Sequence, residues 1–452
     1  MNKYLPVIGL EVHVELNTKS KMFCGCSTDY FGKSPNTLTC PVCLGLPGAL
    51  PVPNKLAIEY CMMIAHALNC EINTFSKFDR KNYFYPDLPK GFQISQYDLP
   101  FGANGHITLK NGKKIRIRRV HMEEDTAKLT HGYLKTKNTN LNNSNYKSKV
   151  SFIDYNRSGV PLVEIVTEPD FTDAKEVVEY LQKLRQIVRY LEVSNADMEK
   201  GEMRLEPNIS LKKIDQDAFP SYKVEVKNIN SFRFVEKAIN YEISRQREIL
   251  EKGSTPQQET RGWDEDKGLT FSQRVKEEAN DYRYFPEPDI PPIRYSLNQI
   301  SNLKSQVPEL QEEKIARFVK QFAIPYYDAE ILTREKALAD YFEEAVKIGH
   351  PKGITPKQIG NAIINKKIDY LKTPPERLIT EIEESTKIET ISDDQLQSVI
   401  EKVLMENPKA VQDYKSGKES VIMFLVGMTM RAIKRKIDAQ IVRKKLEERL
   451  KK

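Results

Sequence analysis

The sequence predicts an α+β protein, with a mixed α/β region first and an all-helical region last. Short β-patterned runs separated by turn signals fill the earlier part of the chain, and apolar residues at helical spacing dominate its last third. Between them lies Pro286-Glu287-Pro288-Asp289-Ile290-Pro291-Pro292. Prolines so closely spaced cannot continue a helix or a central strand, so a domain boundary is placed there. A length of 452 residues and a hydrophobic content of 39% provide for two or three domains.

The elements follow in order. In Val7–Leu16 the alternation is strict: Ile8, Leu10, Val12, Val14 and Leu16 face one way, and Glu11, His13 and Glu15 project together from the other. Cys61 and Cys70 are assigned to the helical pattern Ala57 to Leu68 as small core residues. A basic alternating strand, Ile115-Arg116-Ile117-Arg118, leads into the polar cluster His121-Met122-Glu123-Glu124-Asp125. The stretch Lys135 to Lys149 has too few apolar groups to offset its ordering entropy and reads as a mobile loop. Glu164 sits inside the apolar run Val160–Val166, where an unpaired carboxylate would be expensive. Asp173 and Glu176 form a capping box ahead of Val177, Leu181, Leu184, Val188 and Leu191 at helical spacing. Near the C-terminus Val421, Leu425, Met428 and Ala432 share a helix face, and basic residues Arg431, Lys434, Arg435, Lys436, Arg443, Lys444 and Lys445 follow.

A net charge of +7 over 70 basic and 63 acidic residues describes a mixed globular surface, which permits a nucleic-acid partner without demonstrating one. Residues Met1–Pro6 carry neither an apolar core nor an Arg/Ser-rich transit pattern, so secretion is not expected. The longest apolar stretch, Val421 to Met430, is too short to span a bilayer. A soluble cytoplasmic protein with no membrane partner is expected.

Two residue sets carry chemistry. Cys24-Gly-Cys26 and Cys40-Pro-Val-Cys43 are close pairs, a pattern that suits a tetrahedral structural zinc in a reducing compartment; free or disulfide-paired cysteines are the competing reading. The carboxylates and imidazole of the first strand, the 121–125 cluster and Glu164 form an oxygen-rich set suited to Mg²⁺ or Mn²⁺. No G-x-x-x-x-G-K-[ST] loop accompanies them, and no G-x-G-x-x-G turn opens a helix. Spacing alone therefore supports a metal-assisted reaction and names no substrate.

A series of blocks resembles the B-subunit family of the glutamyl/aspartyl-tRNA amidotransferases. They include Gly9–Glu15, Cys40–Gly48, Arg80–Asp87, Gln93–Gln96, His121–Asp125, Asp154–Arg157, Pro161–Asp170, Glu225–Arg233, Glu259–Trp263 and Asp281–Asp289, with looser matches at Asp413–Lys418 and Phe424–Gly427. The resemblance implies a cradle-like catalytic domain over residues 1–292 with a zinc knuckle at 24–43, a helical connector over 293–390, and a YqeY-like tRNA-binding tail over 391–452. It also implies an ATP-dependent carbon–nitrogen ligase that phosphorylates the side-chain carboxylate of tRNA-borne glutamate or aspartate. Ammonia would then arrive from a glutamine-hydrolysing A-type partner, with a C-type partner bracing the heterotrimer.

Carried over residue by residue, Glu11, His13, Glu123 and Glu164 are the candidate Mg²⁺ ligands, and together with Glu124 they form the candidate catalytic set, with Asp125 beside them. Lys81, Tyr83, Tyr85 and Arg157 are the candidates for ATP-phosphate and tRNA 3′-end contacts. Cys24, Cys26, Cys40 and Cys43 are the zinc candidates. The chain departs from the family pattern at Leu205-Glu206-Pro207, which stands where Cys-Asp-Ala is usual and keeps a carboxylate one carbon longer. A non-catalytic tRNA-binding scaffold of the same complex is the alternative.

Overall fold

The structure, a computed structural model, describes residues 3–136, 146–215, 218–275, 282–366, 368–386, 391–433 and 437–450. It divides into two compact units, Met1–Lys314 and Ile315–Lys452.

The first unit is built on a nine-stranded sheet whose centre is the strand Tyr4–Glu15. On one side it pairs antiparallel with Met203–Lys213, and beyond that lie Val224–Lys227, Glu259–Asp264 and Leu269–Val275. On the other side come Pro161–Thr167, Lys114–Glu124, Gly102–Thr108 and Glu71–Ile72. The alternation in the first strand predicts its two faces correctly. Ile8, Leu10, Val12 and Val14 are buried in one core with the apolar stripes of three helices, Lys55–Ala67, Ala174–Tyr190 and Phe232–Glu251. Burying a large aliphatic side chain is worth roughly 1.5–3 kcal/mol, so this shared core is what holds the register of the sheet.

Local details depart from the sequence reading. Asp173 does cap its helix, accepting from the Lys175 amide, but Glu176 accepts from Thr172 rather than from the cap residue, so the reciprocal box is not closed. Cys61 is buried in its helix, whereas Cys70 lies past the helix end, after Asn69 in a left-handed conformation. The predicted loop is shorter than expected at both ends. Lys128–Thr136 and Tyr146–Asp154 pair as a hairpin, and residues 137–145 lie outside the described residues.

The proline-rich segment is no linker. Phe285–Pro286 forms an edge strand against Asp79–Asn82, a place where a missing N–H costs no ladder bond, and Ile293–Arg294 pairs with Phe75–Ser76. Helix Leu297–Ser305 then puts Leu303 into the first core, and the unit runs on past Pro292 to Lys314.

Every regular element described in the second unit is a helix. One core gathers Phe318, Leu332, Phe342, Ile359, Leu378 and Ile379, and another gathers Leu396, Ile400, Leu425, Val442 and Leu446. Helix Val421–Ile433 buries Ile422, Leu425, Val426 and Thr429. Of the face expected from spacing, Leu425 is buried, Met428 is partly buried and Ala432 is exposed. In a helix apolar nearly all round, the neighbours rather than the pattern choose the buried stripe. Among the basic residues, Lys445 pairs with Asp393 at 2.6 Å and Arg443 with Glu447 at 2.8 Å; residues 434–436 lie outside the described ones. No helix among the described residues is long and apolar enough to cross a membrane.

Gly105 tests the packing of the first helix on the sheet. A Cβ there would meet the Cys70 sulfur and lie 2.6 Å from the Leu68 carbonyl oxygen. Gly105→Ala is expected to cost about 1–3 kcal/mol by overpacking. Urea denaturation measures this, and a variant as stable as wild type would contradict the packing.

Candidate functional site

The face of the sheet opposite the helices carries the charged side chains. Register brings them together: His13 lies opposite Glu164 on the neighbouring strand, and Glu164 lies opposite His121 on the next. Glu123, two residues on from His121, projects from the same face. Ligand atoms of His13, Glu123 and Glu164 all fall within 4.8 Å of one another. His13 Nε2 is 3.8 Å from Glu123 and 3.9 Å from Glu164, and His121 Nε2 is 3.0 Å from Glu164 and 3.6 Å from Glu123.

The electrostatics follow from burial set against charge. Burial pushes the Glu164 carboxyl up, but His121 and His13 outweigh it and hold the group at about 2. Glu123 is likewise pushed up by burial and then brought well below the usual carboxylate range by Lys81, His121 and His13. Lys81, whose ammonium is 3.7 Å from Glu123, and His121 are held above their ordinary values by these carboxylates despite burial. Ser95 Oγ donates to Glu123 at 2.9 Å and Gln93 Nε2 at 3.2 Å, fixing that carboxylate from the strand Phe92–Ser95. The Nδ1 atoms of His13 and His121 are both buried without a hydrogen-bond partner. Two carboxylates and the His13 imidazole within 4.8 Å of one another fit a divalent cation held by His13, Glu123 and Glu164, with His121 orienting Glu164.

The other sequence candidates are distributed differently. Glu11 groups instead with Glu206 and Glu225, and Lys227 already stands 3.0 Å from Glu206 and 3.2 Å from Glu225. Asn208 donates to Glu11 at 3.0 Å; burial and the carboxylates of Glu164, Glu206 and Glu225 hold Glu11 above its ordinary value. Glu124, next to Glu123 on an extended strand, points the opposite way, 2.7 Å from Lys90 and accepting from the Ile94 amide. Tyr83 packs edge-on against Tyr282 beside Lys81, while Tyr85 is exposed. Arg157 is occupied by the carbonyls of Thr126 and Ala127.

Sequence reasoning did not name His121, Gln93 or Ser95 as site residues. The period of two from Glu123 would have found His121, whereas Gln93 and Ser95 reach the site through a tertiary crossing that no local pattern announces.

A second cluster lies in the turns after the first strand. The sulfurs of Cys24, Cys26, Cys40 and Cys43 all lie within 4.8 Å of one another, and no disulfide forms. Cys43 Sγ is 3.8 Å from Cys40 Sγ, which is about the edge of a tetrahedron with metal–sulfur bonds of roughly 2.3 Å. The Cys40 amide donates to Cys43 Sγ at 3.1 Å. Hydrogen bonding from Cys24, with this amide, holds the Cys43 thiol at about 4, so a thiolate is already favoured there. The four residues fit a closed structural zinc site.

With this geometry in place, residues 6–301 match the GatB/GatE catalytic domain, and residues 326–450 match the GatB domain. The chain belongs to that family. It is 44% identical to the B subunit of the aspartyl/glutamyl-tRNA(Asn/Gln) amidotransferase of Thermoanaerobacter sp. (strain X514), with all of both chains covered. It is 45% identical to the protein of the same name from Thermodesulfovibrio yellowstonii over 97% of this chain and 98% of that one. For the Thermotoga maritima protein the figure is 43% over 99% of both. The role that goes with these two domains is that of one component of a tRNA-dependent amidotransferase. The segment that matches the catalytic domain contains the His13/Glu123/Glu164 group.

Asp125 is buried between two arginines at the end of the strand that carries Glu123. Arg204 holds it at 2.8 and 3.1 Å, and Arg157 lies 3.6 Å away. Burial raises this carboxyl, and the two guanidiniums bring it well below its ordinary value. A depressed acid stabilises the fold above its unfolded-state value, near 3.8, and that contribution is lost as pH falls through the folded value. Asp125→Asn is expected to lose about 3 kcal/mol at neutral pH, because two half-buried cations lose their buried anion. Its deficit against wild type is expected to shrink below about pH 4 in parallel urea titrations. An equal deficit at pH 3 and pH 7 would show that charge is not the cause.

Proposed function

We propose that this chain is the tRNA-binding, ATP-using member of a heterotrimeric amidotransferase that acts with its A and C partners in the cytoplasm. Its substrates are glutamyl-tRNA(Gln), with aspartyl-tRNA(Asn) as a second. The observation that carries the reading is the His13/Glu123/Glu164 group, its two carboxylates buried and Lys81 beside it, on the polar face of the catalytic domain's sheet. A carboxylate is a poor acyl donor. One of its oxygens attacks the γ-phosphorus of ATP, ADP leaves, and the resulting acyl phosphate is opened by ammonia with loss of phosphate, which leaves the amide. The ammonia comes from glutamine hydrolysed by the A partner, and the C partner braces the assembly.

Mg²⁺ bound by His13, Glu123 and Glu164 would offset the charge of the transferring phosphoryl group. Lys81 supplies a fixed positive charge beside that position, and its three donors suit phosphate oxygens. Ser95 and Gln93 keep the Glu123 carboxylate from rotating away, a preorganisation that a charged site needs. Tyr83, beside Lys81, and the exposed Tyr85 are the candidate stacking partners for a nucleotide base. The four cysteines hold Zn²⁺ as a structural clip.

The reading is tested by converting charged glutamyl-tRNA(Gln) with this chain and its A and C partners, supplied with ATP, Mg²⁺ and glutamine. Glu164→Gln is expected to lower amide formation by about 100-fold or more while binding of the charged tRNA is retained. If wild type binds tRNA and makes no amide even with ammonium added, a non-catalytic scaffold replaces this reading. The purified chain is expected to carry about one Zn²⁺, and Cys43→Ser to lose it along with thermal stability. Elemental analysis reads the metal directly, and unchanged zinc in Cys43→Ser would remove that residue from the ligand set.

A further inference from the structure

Three arginines follow one another on the strand Lys114–Glu124, and two are fully engaged. Arg116 grips Asp170 through Nε at 3.0 Å and Nη2 at 2.7 Å, and Arg118 grips Glu168 at 2.9 and 2.8 Å. Arg119 has no such partner. Its Nε is buried without a hydrogen bond, and among the described residues its guanidinium makes no ion pair. Arginine cannot shed its proton, so its charge persists in a place where solvation is incomplete.

Its position is set by an irregularity in the sheet. Val166 lies opposite Arg119, but the next residue, Thr167, lies opposite Ile117, so Arg118 is skipped. Ile117 and Val120 both enter the core, and the extra residue places Arg118 and Arg119 together on the polar side. A bulge of this kind re-aims a side chain, and here it delivers a guanidinium into a cavity of about 410 Å³. Glu11, Arg118, Asn208, Ser210 and Lys223 line the same cavity, which is within the size range of small-molecule sites. It adjoins the candidate cation group: Glu11 feels the charge of Glu164, and Arg119 and Lys81 both act on the Tyr284 hydroxyl.

We infer that this cavity is a binding site for phosphate oxygens and that Arg119 is its ligating cation. The site deepens the function proposed above, and it rests on that reading only for where the phosphates come from. An ATP polyphosphate and the phosphodiester of the tRNA 3′ end present the same oxyanions to a guanidinium fork. Arg119 meets whichever arrives, beside the cation held by His13, Glu123 and Glu164.

The test measures KM for ATP and KM for glutamyl-tRNA(Gln) in the assembled complex, for wild type, Arg119→Gln, Arg119→Lys and Arg116→Gln. Binding of inorganic tripolyphosphate to the full-length chain is followed by calorimetry. Arg119→Gln is expected to weaken tripolyphosphate binding and to raise one KM by about 10- to 100-fold, with Arg119→Lys recovering part of the loss. Arg116→Gln, which removes only an exposed ion pair, leaves all three unchanged. A rise confined to ATP assigns the cavity to the nucleotide, and one confined to charged tRNA assigns it to the 3′ end. If a folded Arg119→Gln protein matches wild type in both KM values and in tripolyphosphate binding, the inference is wrong. Should wild type make no amide at all, the calorimetric arm still decides the anion site by itself.

Discussion

A slip of one residue in the pairing of Tyr4–Glu15 would turn Ile8, Leu10, Val12 and Val14 out of the core and drive Glu11, His13 and Glu15 into it. The cost of burying unpaired charge, added to the lost apolar burial, makes that slip prohibitive. Because the strand lies at the centre of a nine-stranded sheet, its register fixes that of both neighbours. The row His13–Glu164–His121 exists only as a consequence of that alignment. The hydrophobic face is thus the cause of the geometry on the polar face.

The polar face in turn works as one charge-balanced system. Lys81, His13 and His121 stand within about an ion-pair length of Glu123 and Glu164 and favour their ionised forms despite burial, and the same carboxylates raise Lys81 and His121 above their ordinary values. Asp125 with Arg204 and Arg157, and Glu206 and Glu225 with Lys227, repeat the arrangement on either side. Among the described residues Arg119 makes no ion pair, and its Nε is buried without a hydrogen bond, so a ligand has something to supply there.

The strand Lys114–Glu124 joins two regions through its alternation. Glu123 faces the carboxylate–imidazole group, and Glu124 faces Lys90 and a small cavity that also touches Cys24 and Cys43. The cysteine turns and Glu124 thus line one cavity, which places the quartet one residue along the strand from Glu123 and on the opposite face. Gln93 binds both the Glu123 carboxylate and the Glu124 carbonyl, tying the two faces to one neighbouring strand.

Local pattern and residue chemistry were enough to establish the two faces of the first strand, the helix after Asp173, the cysteine quartet and the membership of Glu123 and Glu164 in a charged site. They could not show that Glu11 joins Glu206 and Glu225, or that Gln93 and Ser95 reach Glu123. Those depend on which strands become neighbours and in what register, and pairing partners far apart in the chain leave no periodic trace. The same limit hid the role of Phe285–Pro286 as an edge strand, since proline forbids a central strand but permits an outer one. It also hid Arg119, because a bulge shifts parity by one residue at a point set by the opposing strand. Composition and alternation settled which side chains are polar and which face is dry, and the assembled sheet alone settled which polar side chains meet.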